Sequence, residues 1–206
     1  MEFREITGGQ WAMQKLSRQD LWSLEDYAQK RDAFRRQVME HKRVRNLQVG
    51  PHVRLLFEDR LTMQYQIQEM LRAERIFEAQ GIQDELDTYN ALIPEAGNLA
   101  ATMMIEFENV AERQRALAQL VGIEHQVWLQ VAGFDRVFAI ADEDMDRSTA
   151  DKTSSVHFLR FELAASMVSK LKNGAALGAG IEHANYAYSV ETIPANIRAS
   201  LTADLS

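Results

Sequence analysis

At 206 residues, 46% of them hydrophobic and 26% charged, with three prolines and ten glycines, the chain has the composition of a globular protein with enough apolar material for one sizeable core. The net charge of −7 falls short of the basic balance of a dedicated nucleic-acid binder, and the absence of cysteine excludes disulfides, a thiolate nucleophile and cysteine-ligated zinc or iron–sulfur centres. No apolar run approaches the roughly 18 residues of a membrane span and no leader pattern opens the chain, so a cytoplasmic location is expected.

Residues 1–12 (MEFREITGGQWA) show a Gly-Gly pair and no periodicity, and are read as a flexible N-terminal extension to a single α+β domain over residues 13–206. From Ser23 to Arg45, Leu24, Tyr27, Arg31, Phe34, Val38 and His41 recur at three and four, which predicts a long helix with Ser23 as its cap. Its stripe is apolar except for Arg31 and His41. Lys30 to Arg45 also holds seven basic and two acidic residues, a local balance of +5 that either pairs within the protein or docks an acidic partner through Arg35, Arg36, Lys42 and Arg43.

Gly50-Pro51 breaks the chain, Val53–Glu58 reads as a strand, and residues 62–80 read as a second long helix ended by Gly81 in a left-handed cap. Its face carries Met63, Ile67, Met70, Glu74 and Phe77. A carboxylate on an apolar stripe either finds a cation or takes up a proton, because burying it ionised and unpaired is costly. Arg31 and Arg160 are the candidate partners, whereas Glu69 is expected to make ordinary pairs with Arg72 or Arg75.

The second half shows internal similarity. Thr102–Glu108 and Val156–Glu162 share a strand pattern, each followed by helical periodicity, a Gly-Ile-Glu-His tetrad (at 122 and 180) and another strand, at 127–131 and 186–190. Two βαβ-like units of one mixed sheet are predicted, with 134–141 as an extra strand, the two long N-terminal helices packed on the sheet, and the charged segment 142–153 as an exposed loop between the units.

The strings GPHVRLLFEDRLTMQYQIQEMLRAERI (50–76), ELDTYNALIP (85–94), KTSSVHFLRFEL (152–163) and GIEHANY (180–186) carry a resemblance. Together they make the chain similar to an uncharacterised bacterial domain-of-unknown-function family whose genes often neighbour those for rubrerythrin-like proteins and an iron–sulfur oxidoreductase. The resemblance supplies no activity and no catalytic residues. It implies an accessory protein of a redox or peroxide-handling pathway, with rubrerythrin-like or iron–sulfur redox proteins as expected partners.

Five histidines and many carboxylates supply the imidazole and oxygen ligands that a non-haem transition metal accepts when thiolates are absent. There is no His-Glu-x-x-His and no Glu-x-x-His pair, so neither a zinc hydrolase nor a di-iron bundle is encoded locally. The candidate metal set is His157, His183 and Glu74, and the candidate pocket adds Tyr89 and Arg160. Three readings stand at this point. The first is a small-ligand or metal-binding accessory protein. The second is an enzyme with His157 or His183 as base and Arg160 holding an anion. The third is an interaction module docking through the basic helix, and whether the chain forms homo-oligomers stays open.

Overall fold

The computed structural model describes residues 14–143 and 146–205, so the extension read over residues 1–12 lies outside the described residues. Helix α1 (Leu24–Lys42) starts where Ser23 Oγ accepts from the Asp26 amide, and it buries Tyr27, Phe34 and Val38 from the expected stripe. The stripe's two polar members meet acids: Arg31 donates twice to Glu69, and His41 Nε2 lies 2.5 Å from Asp59 Oδ2. Strands β1 (Asn46–Val49) and β2 (Val53–Glu58) form an antiparallel hairpin through Gly50. Gly50 has φ +70°, and a Cβ there would lie 2.6 Å from both the Tyr186 hydroxyl and the Tyr188 ring, so only glycine fits.

Asp59 caps helix α2 (Arg60–Glu74), and helix α3 (Ala79–Asn90) follows. The helix expected over 62–80 therefore stops at Glu74, and a separate helix, α3, begins at Ala79 and runs into the acidic segment 84–95, where the sequence leaves a short helix open. Arg75 turns left-handed at φ 55°, its amide bonding back to Leu71, while Gly81 lies inside α3. The break has a packing reason: it lets Ile82 and Leu86 join Met63, Ile67, Leu71 and Ile93 in a second apolar cluster.

Downstream come β3 (Asn98–Ile105), α4 (Val110–Gln119), β4 (Val127–Val131), β5 (Val137–Phe138), β6 (Ile140–Ala141), β7 (Val156–Glu162), α5 (Ala165–Lys172), β8 (Leu177–His183), β9 (Tyr186–Val190) and α6 (Ala195–Asp204). The strands build two antiparallel sheets, ordered β1-β2-β3-β7-β6 and β5-β4-β8-β9, not one mixed sheet. Each unit sends its first strand to one sheet and, after its helix, its second strand to the other. Hence β3 pairs with β7, with Met103 opposite His157, and β4 pairs with β8. The physical signal is the alternation in β7, where His157, Leu159 and Phe161 are buried while Val156 and Glu162 are exposed. A parallel strand with helices on both faces would be apolar throughout.

The tetrads do not correspond in structure: residues 123–126 form a 3₁₀ turn, whereas Gly180–His183 finishes β8. The extra strand expected over 134–141 divides, β5 joining one sheet and β6 the other, with Ala139 between them. One apolar core spans both sheets, from Leu55, Phe57, Met103 and Phe161 to Leu129, Leu177 and Ile181.

Much of the basic run is absorbed within the protein. Arg45, 1% exposed, bonds the Phe57 and Glu58 carbonyls, Ser200 and Asp204, which fastens α6 to the end of β2. Lys30 and Lys42 lie over the rings of Trp22 and Tyr65, Arg43 pairs with Glu40, and Arg35 and Arg36 are exposed. Among the described residues no helix is long and apolar enough to cross a membrane.

Candidate metal centre

The division of strand 134–141 sets up the site. β6 ends at Ala141, and Asp142 follows with a left-handed backbone, φ 51°, that turns its carboxylate back toward β7. Asp142 Oδ1 accepts from the Phe158 amide at 3.0 Å, and Oδ2 lies 2.6 Å from His157 Nδ1. His157 occupies the inward face of β7 and is 0% exposed. Its other nitrogen, Nε2, lies 2.8 Å from Thr153 Oγ1 and 3.1 Å from the Ser154 carbonyl.

Glu124 comes from the opposite side, on the 3₁₀ turn that leads into β4, and is 4% exposed. Ser148 Oγ donates to it at 2.6 Å and lies 2.8 Å from Thr153 Oγ1. Burial pushes the Glu124 carboxyl up. The Ser148 hydroxyl, the residue's own backbone amide and the neighbouring His157 outweigh that, so it sits below the usual carboxylate range and is ionised at neutral pH. One donor atom each from Glu124, Asp142 and His157 falls within 4.8 Å of the other two.

Imidazole with two carboxylates suits a divalent first-row metal. Donors about 2.0–2.2 Å from one ion lie at most about 4.4 Å apart, so the spread of up to 4.8 Å must shrink while the 2.6 Å contact between Asp142 and His157 opens to admit an ion. The group fits a metal in its donor chemistry, and its spacing is met once the His157 hydrogen bonds rearrange.

Of the residues singled out from sequence, the structure brings His157 into this cluster. Glu74 lies exposed at the end of α2, and Tyr89, half-buried on α3, packs on the second apolar cluster. Arg160, on the outward face of β7, donates twice to Glu143 and also pairs with Glu162. It lines a cavity of about 280 Å³ with Ile93, Pro94 and Phe158, its guanidinium already engaged. His183 closes β8, with Nε2 3.2 Å from the Val121 carbonyl and Nδ1 accepting from the Asn185 amide. Arg31 pairs with Glu69, not with Glu74 and not leaving Glu69 to Arg72 or Arg75.

Sequence reasoning missed Glu124 and Asp142. The first lay in a tetrad read as part of a repeat. The second opened a segment read as an exposed loop, although Thr153 at its far end is buried and Ser148 and Arg147 are half-buried. The available signal was chemical: Asp142, Ser148 and Thr153 supply three oxygen donors within twelve residues of a histidine-bearing strand.

The chain matches a family described as "Protein of unknown function (DUF3501)" over residues 15–205. Its structure is similar to the crystal structure of a novel protein of unknown function from Burkholderia pseudomallei, with a TM-score of 0.90 and 50% sequence identity over 94% of this chain and 100% of that one. No curated protein matches the chain.

Proposed function

The chain belongs to the DUF3501 family, and we propose that it is a bacterial accessory protein that binds a divalent transition metal through Glu124, Asp142 and His157. The observation that carries this reading is the convergence of one imidazole and two carboxylates within 4.8 Å, with Glu124 and His157 buried and Asp142 half-buried. Asp142 and Glu124 would supply charge, His157 a neutral nitrogen, and the backbone amide of Phe158 holds Asp142 in place from behind. Bound there, the metal would supply positive charge between the two carboxylates. Placement in a redox or peroxide-handling pathway, with rubrerythrin-like or iron–sulfur redox proteins as partners, rests on the family resemblance alone.

The test is elemental analysis of untagged protein purified without chelator, beside the His157→Ala and Asp142→Ala variants. Close to one transition metal per chain, lost in both variants, is expected. Folded, metal-free wild-type protein that takes up no added Mn²⁺, Fe²⁺ or Zn²⁺ would refute the reading.

One observation favours an enzyme instead. Asp142, His157 and Thr153 stand in the order carboxylate, imidazole, hydroxyl at 2.6 and 2.8 Å, the arrangement of a base-activated nucleophile. Thr153 is 2% exposed and also 3.4 Å from Glu124 Oε2, which leaves no room for an electrophile beside its oxygen. The metal reading accounts for Glu124 and the enzyme reading does not.

A further inference from the structure

The cavity beside Arg160 lies on the other face of β7 from His157, because His157 is turned into the core while Phe158 and Arg160 alternate outward. Cross-strand register places Ala100 of β3 on one side of Arg160 and Ile140 of β6 on the other, and directly opposed residues of antiparallel strands share a face. The three side chains form a row on the outward face of the five-stranded sheet. Over that row runs the segment after α3, with Ile93 and Pro94 buried. Residue 100 carries only a methyl group, and sheet and segment enclose a cavity of about 280 Å³.

Apart from Arg160 and Glu143, the described residues that line the cavity are apolar. Ile140, itself 40% exposed, leaves one apolar wall open to solvent. A small apolar cavity with a single directional polar group is the usual form of a site for a small organic molecule.

That polar group is a carboxylate seat. Arg160 Nε and Nη2 donate to the two oxygens of Glu143, each at 2.7 Å, the fork-to-fork geometry in which a guanidinium recognises a carboxylate. Glu143 is exposed, on the segment that leaves β6, and water screens such a pair so that it contributes little. Glu162, the other acid on Arg160, belongs to β7 and is also held by the Asn98 amide nitrogen. Of the two carboxylates, Glu143 is therefore the exchangeable one.

We propose that the cavity binds a small aliphatic monocarboxylate, whose carboxylate replaces Glu143 on Arg160 and whose chain lies against Ile93, Pro94, Ala100 and Phe158. The site makes no use of a metal, so it stands or falls separately from the centre at His157.

The experiment titrates the isotope-labelled full chain with hexanoate and follows amide chemical shifts, with 1-hexanol and acetate as probes of the body and the head alone. Saturable shifts centred on residues 91–94, 140–143 and 158–160 are expected, with hexanoate binding about tenfold tighter than either probe because it alone makes both kinds of contact. Arg160→Gln is expected to weaken hexanoate about tenfold and to leave 1-hexanol unchanged. Glu143→Gln, which frees the seat, is expected to tighten hexanoate several-fold, an effect that a purely structural ion pair would not produce. Ala91→Phe, which brings a ring into the cavity from an exposed position, should weaken hexanoate and 1-hexanol alike. Equal affinities for hexanoate and 1-hexanol, an unchanged affinity in folded Arg160→Gln, or shifts scattered over the surface without saturation would each overturn the proposal, as would no binding at all.

Discussion

Asp142 Oδ2 lies 2.6 Å from His157 Nδ1, and the histidine's other nitrogen faces the Thr153 hydroxyl and the Ser154 carbonyl, so both ends of a ring with no solvent exposure meet oxygen. Removing the ring takes a hydrogen-bond partner from Asp142 and from Thr153 and leaves a cavity in the core, although Asp142 keeps the Phe158 amide and Glu124 keeps the Ser148 hydroxyl. Because a buried polar group left short of a partner costs about 1–3 kcal/mol and the cavity adds to that, His157→Ala is expected to lower unfolding stability by about 3 kcal/mol. Urea denaturation at neutral pH without added metal measures it, and a loss under about 1 kcal/mol would contradict the packing described for Glu124 and Asp142.

Arg45 makes the same kind of argument from the cationic side. It is enclosed, 2.5 Å from Asp204 Oδ2 and 3.4 Å from Asp59 Oδ2. Arg45→Ala is expected to cost about 3–5 kcal/mol, whereas Arg45→Met combined with Asp204→Leu costs less than the single change, because the double variant removes the charge that would be left unpaired. Equal losses in the two proteins would show that the cost lies in the bonds to the Phe57 and Glu58 carbonyls, which both variants lack, and not in a stranded Asp204 charge.

Arg31 and Glu69 join α1 to α2 from half-buried positions, with two hydrogen bonds of 2.7 Å. The Arg31 guanidinium holds the Glu69 carboxyl below its usual range. A depressed folded-state value contributes stability that is complete above the unfolded value of about 4.3 and is lost as pH falls through the folded one. Glu69→Gln is therefore expected to cost about 1 kcal/mol at pH 7 and progressively less below pH 4. A difference from wild type that stays constant from pH 7 to pH 3 would rule this out.

Gly50 permits the turn that brings the hairpin against Tyr186, whose hydroxyl donates to the Val49 carbonyl and accepts from the His52 and Val53 amides. Gly50→Ala adds strain at φ +70° and a clash with two tyrosines. A loss of about 2–3 kcal/mol is expected, and a thermal midpoint unchanged within a degree would mean that the hairpin shifts freely away from β9.

Local order was legible in the sequence wherever a single element decides its own conformation. The 3.6-residue period and Ser23 determined α1, Gly50-Pro51 determined the hairpin turn, and alternation along 156–162 placed His157, Leu159 and Phe161 on one buried face. The absence of cysteine limited any metal chemistry to nitrogen and oxygen ligands. The tertiary structure decided the rest. Whether a strand–helix–strand unit returns to its own sheet or crosses to another depends on what covers each face, which no window of residues contains. The same holds for charge: Arg31 meets Glu69, Arg45 meets Asp204 and His157 meets Glu124 across separations of 38, 159 and 33 residues, set by packing rather than spacing. The centre at His157 exists because the chain changes sheets at Ala139, and only the folded protein has a seam there for Glu124 and Asp142 to close.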